Sequence, residues 1–108
     1  MKPLVYLAGP YSKPDPVENM HNAIKVADGL LDVCIPHIPH LTGIWHLVSP
    51  KPYPEWLEID LEILLRCDCV YRFGGSSRGA DGEVVAALNA DIPVFYSETE
   101  LRLFLEAA

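Results

Sequence analysis

A carboxylate closing a glycine-rich run, Gly74-Gly75-Ser76-Ser77-Arg78-Gly79-Ala80-Asp81-Gly82-Glu83, is where this chain most plainly offers chemistry. The run joins an apolar segment, Cys69–Phe73, to small residues of helical character, Val84–Leu88, and so reads as a strand-to-helix turn. Such turns present backbone N–H groups to an anion or a sugar hydroxyl. Glu83, in the first turn of the helix, would feel the positive end of its dipole and stay ionised. An ionised, partly sheltered carboxylate suits a nucleophile that attacks an anomeric carbon. The competing reading is a solvated glutamate that serves only helix stability. Gly79 and Gly82, which let a ligand approach the backbone, weigh against it. The pattern points to a small-molecule site for a nucleotide or nucleoside.

Asp60 is the second candidate. It stands one turn after Trp56 and one turn before Leu64, on the semi-buried face of a helix whose wet face carries Glu55, Glu58 and Glu62. Burial among Trp56, Ile59 and Leu64 would push its pKa up. A protonatable acid near an ionised one is the arrangement of glycoside chemistry; a local cap or salt bridge is the alternative. Ser76, Ser77 and Arg78 offer hydroxyls and charge to a sugar 5′-oxygen or 5′-phosphate. The turn is neither a Walker loop nor a dinucleotide fingerprint, since Gly-Lys-Ser/Thr and Gly-x-Gly-x-x-Gly are both missing. His37, His40 and His46 with Cys34 read as structural or substrate-contacting, in preference to a zinc set, because His37-x-x-His40 lies in an extended, proline-rich segment. No metal and no cofactor are expected.

The elements that must position these groups alternate. A buried strand over residues 3–8 stops at Gly9-Pro10. A helix follows, with Asp15 as N-cap, Pro16 at its first position and Glu18 completing a capping box, running to about Asp32 with Ala23, Val26, Ala27, Leu30 and Leu31 inward. A short strand falls in 33–38, then a loop over 39–53 carrying His40, Trp45 and His46. A helix spans 54–66, a strand 68–73, a helix 80–90, a strand 92–96 and a closing helix 99–107. This order predicts an α/β domain: a small three-layer, doubly wound, flavodoxin- or Rossmann-like fold with a four-stranded, mainly parallel sheet. Ligands bind such sheets beyond the carboxyl ends of the strands, where strand order reverses. The loops 9–15, 39–53 and 74–79 would gather there, the aromatic-rich one over the glycine-rich turn.

The 108 residues make one domain, 1–108, and half of them are hydrophobic. Fifteen acidic against eight basic side chains give a net charge of −7, which argues against nucleic acid polymers and anionic membranes as partners. No run approaches the ~20 apolar residues of a membrane span, and no signal peptide is visible. Three cysteines without framework spacing, Cys34, Cys67 and Cys69, read as reduced, mostly buried thiols of a cytoplasmic protein.

Three segments together resemble the nucleoside 2-deoxyribosyltransferase superfamily, including its deoxynucleoside 5′-monophosphate N-glycosidase branch. They are Val5-Tyr6-Leu7-Ala8-Gly9-Pro10-Tyr11, the Asp-Leu-x-x-Leu-x-x-Cys-Asp-x-Val pattern from Asp60 to Val70, and Ser77-x-Gly79-x-x-x-Glu83 followed by Ile92-Pro93-Val94. The resemblance implies Glu83 as nucleophile, Asp60 as the group that contacts substrate and helps protonate the leaving base, and Tyr6 and Gly9 as lining of the sugar pocket. Free-nucleoside transferases of the family carry an acid where this chain has Ser77. A hydroxyl there fits a 5′-monophosphate. Cleavage of an N-glycosidic bond is therefore the expected function, with Trp45 and Tyr53 stacking on the base. A non-catalytic nucleotide-binding or sensor module on the same fold is the alternative, and glycosidic hydrolysis of NAD a third. The family also implies a homo-oligomer, for which the long loop and Leu101–Leu105 offer apolar surface.

Overall fold

In the computed structural model, residues 1–107 are described. The elements run β1 (Leu4–Ala8), α1 (Pro16–Asp28), β2 (Ile35–His37), a 3-10 turn (Pro39–Leu41), α2 (Thr42–Val48), α3 (Tyr53–Leu64), β3 (Cys69–Arg72), α4 (Arg78–Asn89), β4 (Val94–Phe95) and α5 (Glu98–Ala107). The sheet has four strands in the order β2-β1-β3-β4, and every pairing is parallel. The chain steps from β1 outward to β2, then crosses to the other side of β1 for β3. The switch point thus lies between β1 and β3, the two central strands.

Central placement explains the composition of β1, which is covered on both faces and apolar throughout. Val5 and Leu7 pack with Ala27 and Leu30 of the α1 region, Cys34, Cys69, and Leu101 and Leu105 of α5. Tyr6 and Ala8 face the other way, against Leu64, Cys67, Val70, Ala80 and Ala87 under α3 and α4. These are the two helix layers that the alternating pattern predicts. Pro36 is tolerated within β2 because β2 is an edge strand and one side of it needs no N–H donor.

Several boundaries differ from those expected. α1 ends at Asp28 with Gly29 as its C-cap, so Gly29 terminates the helix and does not weaken its interior. Leu31 lies beyond that end and is half exposed. The Asp15 carboxylate caps α1 by accepting from the Val17 N–H at 3.0 Å. The segment 39–53 is largely helical, with the 3-10 turn and α2 between its prolines. None of α2's residues is buried, so no apolar stripe announced it. Leu101 and Leu105 turn into the core, while Leu103 and Phe104 of the same helix stay exposed, as do Leu47 and Val48 on α2. The three cysteines are free and buried.

Two glycines make the switch point possible. A Cβ at Gly9, just after β1, would stand 2.5–2.8 Å from the Phe73 ring. Gly74, just after β3, holds φ at +77°, and a Cβ there would stand 2.8 Å from Pro10 Cδ. The exits of the two central strands are thus dovetailed, and the Phe73 N–H donates to the Ala8 carbonyl at 3.0 Å.

Candidate active site

Sheet register lays the floor of the site. Tyr6 of β1 pairs with His37 of β2 on one side and Val70 of β3 on the other. Side chains in register share a face, and the Tyr6 and His37 rings lie 5.5 Å apart. Tyr6 is fully buried, so its hydroxyl must find a partner within the protein. That partner is Glu83: the Tyr6 hydroxyl donates a hydrogen bond to Glu83 Oε2.

Glu83 reaches Tyr6 because of how α4 begins. Ser77 is the N-cap, its hydroxyl accepting from the Ala80 N–H at 3.1 Å. The helix therefore starts at Arg78, two residues before the expected Ala80, and Glu83 falls in the second turn, not the first. From that start Ala80, Val84 and Ala87 form the buried stripe, and Glu83 is at the i+3 position within it. This corrects the electrostatics as well as the boundary. The dipole fades beyond the first turn, and burial dominates, pushing the Glu83 carboxyl up to about 7. The Tyr6 hydrogen bond and the Arg72 charge pull it down, while repulsion from Asp60 adds to the rise. Glu83 is thus poised near neutrality instead of being firmly ionised. Burial together with the Glu83 and Asp60 charges holds the Tyr6 phenol far above its ordinary value, so it stays a donor.

Asp60 sits on the inward side of α3 as the spacing predicts, between buried Trp56 and Leu64. Burial raises its carboxyl to about 6, and its Oδ1 is buried with no hydrogen-bond partner. Its charge acts on both Tyr6 and Glu83, raising the two of them.

The glycine-rich turn is braced from beneath by Arg72, a residue that sequence reasoning passed over. Arg72 is only 8% exposed. Its guanidinium donates to the Phe73 carbonyl at 2.5 Å, the Gly75 carbonyl at 2.8 Å and Asp81 Oδ1 at 3.2 Å. The signal was an arginine two residues after Val70 on the same face of a central strand. Ser76 lies on the exposed rim of a cleft of about 470 Å³, which Arg72, Phe73, Asp81 and Tyr96 also line. Arg78 is exposed at the start of α4, and a Cβ at Gly79 or Gly82 would meet no atom within 4 Å. Gly9 is buried against the Phe73 ring, which occupies the space a side chain would need, so its constraint comes from packing.

Trp45 lies on α2, half exposed, and meets Trp56 of α3 edge-on at 5.0 Å instead of covering the glycine-rich turn. Tyr53 opens α3 and is exposed. The histidines diverge. His40 is buried, with Nε2 at 3.0 Å from the Pro10 carbonyl. His46 Nδ1 accepts from Trp56 Nε1–H at 2.7 Å and from the Lys51 N–H at 3.2 Å. Among the described residues no group of three His, Cys, Asp or Glu side chains is arranged to hold a metal. No helix there is long and apolar enough to cross a membrane.

No family model matches the chain, and no curated protein matches it. Among solved structures it is similar to a 2-deoxyribosyltransferase from the psychrotolerant bacterium Bacillus psychrosaccharolyticus, a protein described as a biocatalyst for the synthesis of antiviral and antitumoral nucleosides. The two superpose with a TM-score of 0.63 at 22% identity, over 84% of this chain and 69% of that one. The likeness shows a shared fold, the doubly wound architecture expected from the sequence.

The buried carboxyl makes a stability prediction. Glu83 ordinarily titrates near 4.5 and here near 7, so the folded state holds a proton that the unfolded state releases. Stability therefore falls as pH rises through that window. Glu83→Gln should flatten the fall, leaving the smaller slope of Asp60, and above pH 7 should be more stable than wild type by on the order of 2 kcal/mol. Urea unfolding across pH measures this. A glutamine variant that is less stable above pH 7 would contradict the burial of charge described here.

Proposed function

We propose that the chain cleaves the N-glycosidic bond of a nucleoside 5′-monophosphate or nucleoside, with Glu83 as nucleophile and Asp60 as acid. The observation that carries this reading is the buried Tyr6–Glu83 hydrogen bond at the switch point, with Asp60 acting on the same pair. The fold shared with a 2-deoxyribosyltransferase supports it, as do the sequence segments around Tyr6, Asp60 and Glu83. Tyr6 fixes Oε2 and leaves Oε1 of Glu83 to attack C1′. As that bond forms, the C1′–N bond breaks through an oxocarbenium-like transition state. Its electron pair goes to the base nitrogen, which takes a proton from Asp60. Water, or a second base, then attacks C1′ and releases the Glu83 carboxylate. Catalysis requires Glu83 ionised and Asp60 protonated, so the rate should peak between the two carboxyl values, about 6 and about 7, as one coupled pair.

Ser77 supports the monophosphate as substrate. Its oxygen accepts from the Ala80 N–H, which leaves its O–H free to donate to a phosphate oxygen beside the α4 N-terminus. The exposed Leu47 and Val48 on α2 favour assembly of several copies of the chain.

Base release from a panel of ribo- and deoxyribonucleosides and their 5′-monophosphates tests the reading. Glu83→Ala should lower release at least about a thousandfold, and equal release by wild type and variant would remove the mechanism. A second variant addresses the phosphate. Aspartate caps a helix as well as serine does, so Ser77→Asp should keep the melting temperature while raising KM for monophosphates relative to nucleosides by about tenfold or more. An unchanged KM ratio would remove Ser77 from phosphate recognition.

A further inference from the structure

Three strand exits at the carboxyl edge of the sheet meet around one buried side chain, His40 of the 3-10 turn after β2. It is only 3% exposed. Its ring lies 6.0 Å from that of Tyr11, in the turn after β1, and 5.9 Å from that of Phe73, just after β3. Nε2 stands 3.0 Å from the Pro10 carbonyl. A carbonyl only accepts, so Nε2 carries the proton and Nδ1 is bare. Nδ1 is buried and has no partner. Burial lowers the His40 pKa, which keeps the ring in that neutral form. A leucine of similar size would fill the same space without stranding a polar atom. Packing alone therefore does not call for a histidine here; the bond to Pro10 does.

That bond grips one end of the turn after β1. Asn19 of α1, also buried, grips the other by donating to the Tyr11 and Lys13 carbonyls, each at 2.9 Å. Tyr11 rests against α2, where a Cβ at Gly43 would collide with its hydroxyl oxygen. Pro10 fills the space beside Gly74, at the exit of β3. We propose that His40 is a positioning residue: its bond to Pro10 locks the turn Gly9–Tyr11 against α2 and the β3 exit, so that this side of the substrate site is formed before substrate arrives. The lock rests on the geometry above. Its effect on substrate rests on the glycosidic reading, in which Gly9 lines the sugar pocket. With the lock removed, the turn is open for part of the time, and apparent affinity falls by the fraction that remains closed. The chemical step is spared, because Tyr6 and Glu83 are held by each other and by β1 and α4.

Two variants test this. His40→Leu keeps the bulk and removes the donor. His40→Gln places an amide N–H about where Nε2–H stands. Chymotrypsin, which cuts after tyrosine, reads the lock at the Tyr11–Ser12 bond, and the exposed Tyr96 beyond β4 is the internal reference. His40→Leu should be cut after Tyr11 about tenfold faster than wild type and after Tyr96 at the same rate, with a melting temperature within about 3 °C. In base release its KM should rise about tenfold while kcat changes less than about threefold. His40→Gln should recover most of both effects. Faster cutting at both tyrosines with a lower melting temperature would make His40 a residue of the core only and overturn the proposal. Base release with the same KM in wild type and His40→Leu would also overturn it and leave the glycosidic reading intact. No base released by wild type from any nucleoside or nucleotide would remove the glycosidic reading. Cutting at Tyr11 then decides the lock by itself: faster in His40→Leu and restored in His40→Gln upholds it, and equal rates overturn it.

Discussion

One hydrogen bond, from the Tyr6 hydroxyl to the Glu83 carboxylate, ties the centre of the sheet to the helix that follows the glycine-rich turn. Tyr6 is fully buried on a central strand, and its hydroxyl has no access to water. Its demand for a partner sets the rotation of α4, and Ser77 as N-cap sets where that helix begins. Because Glu83 falls within the inward stripe of Ala80, Val84 and Ala87, the helix cannot bury its apolar face without also burying its carboxylate. The sheltered carboxylate is therefore a consequence of the packing.

The same logic applies to two more charges on the same side of the sheet. Asp60 occupies the inward side of α3 between Trp56 and Leu64, and Arg72 follows Val70 on the α4 side of β3. Three charged side chains thus sit where periodicity calls for apolar ones, close to the carboxyl edge of the two central strands. Two are acids raised towards neutrality by burial. The third, Arg72, spends its donors on the turn that precedes α4 and offsets part of the rise at Glu83. Departures from pattern of this kind concentrate where a protein has a task beyond folding.

Much of this was legible in the residues. The unbroken apolar run of β1, the Asp15-Pro16 helix start and the glycine-rich turn gave the layered α/β architecture and its switch point, because each is a local signal with one physical meaning. Asp60 could be placed because Trp56 and Leu64 flank it at helical spacing. α2 was hidden: seven residues between prolines, with none buried, carry no periodic stripe. The protonation of Glu83 was hidden too, since the start of α4 had been set two residues late and the burial of Glu83 depends on Tyr6, 77 positions away in sequence. His37 was visible only as one of several histidines with a structural or substrate-contacting reading. Its meaning appears when register sets it beside Tyr6. Signals that reside in one element could be read from sequence, whereas those created by the meeting of two elements could not.

As nucleophile, Glu83 would have to bond to carbon. Double displacement at C1′ preserves the configuration of the starting nucleoside, whereas direct attack by solvent inverts it. With methanol as the acceptor the sugar product cannot mutarotate, and proton NMR of the first-formed glycoside reads its anomeric configuration. A methyl glycoside of the substrate's own β configuration is the result predicted for a carboxylate held by Tyr6. The α anomer would contradict it, leaving the buried pair a feature of the fold and not of the chemistry.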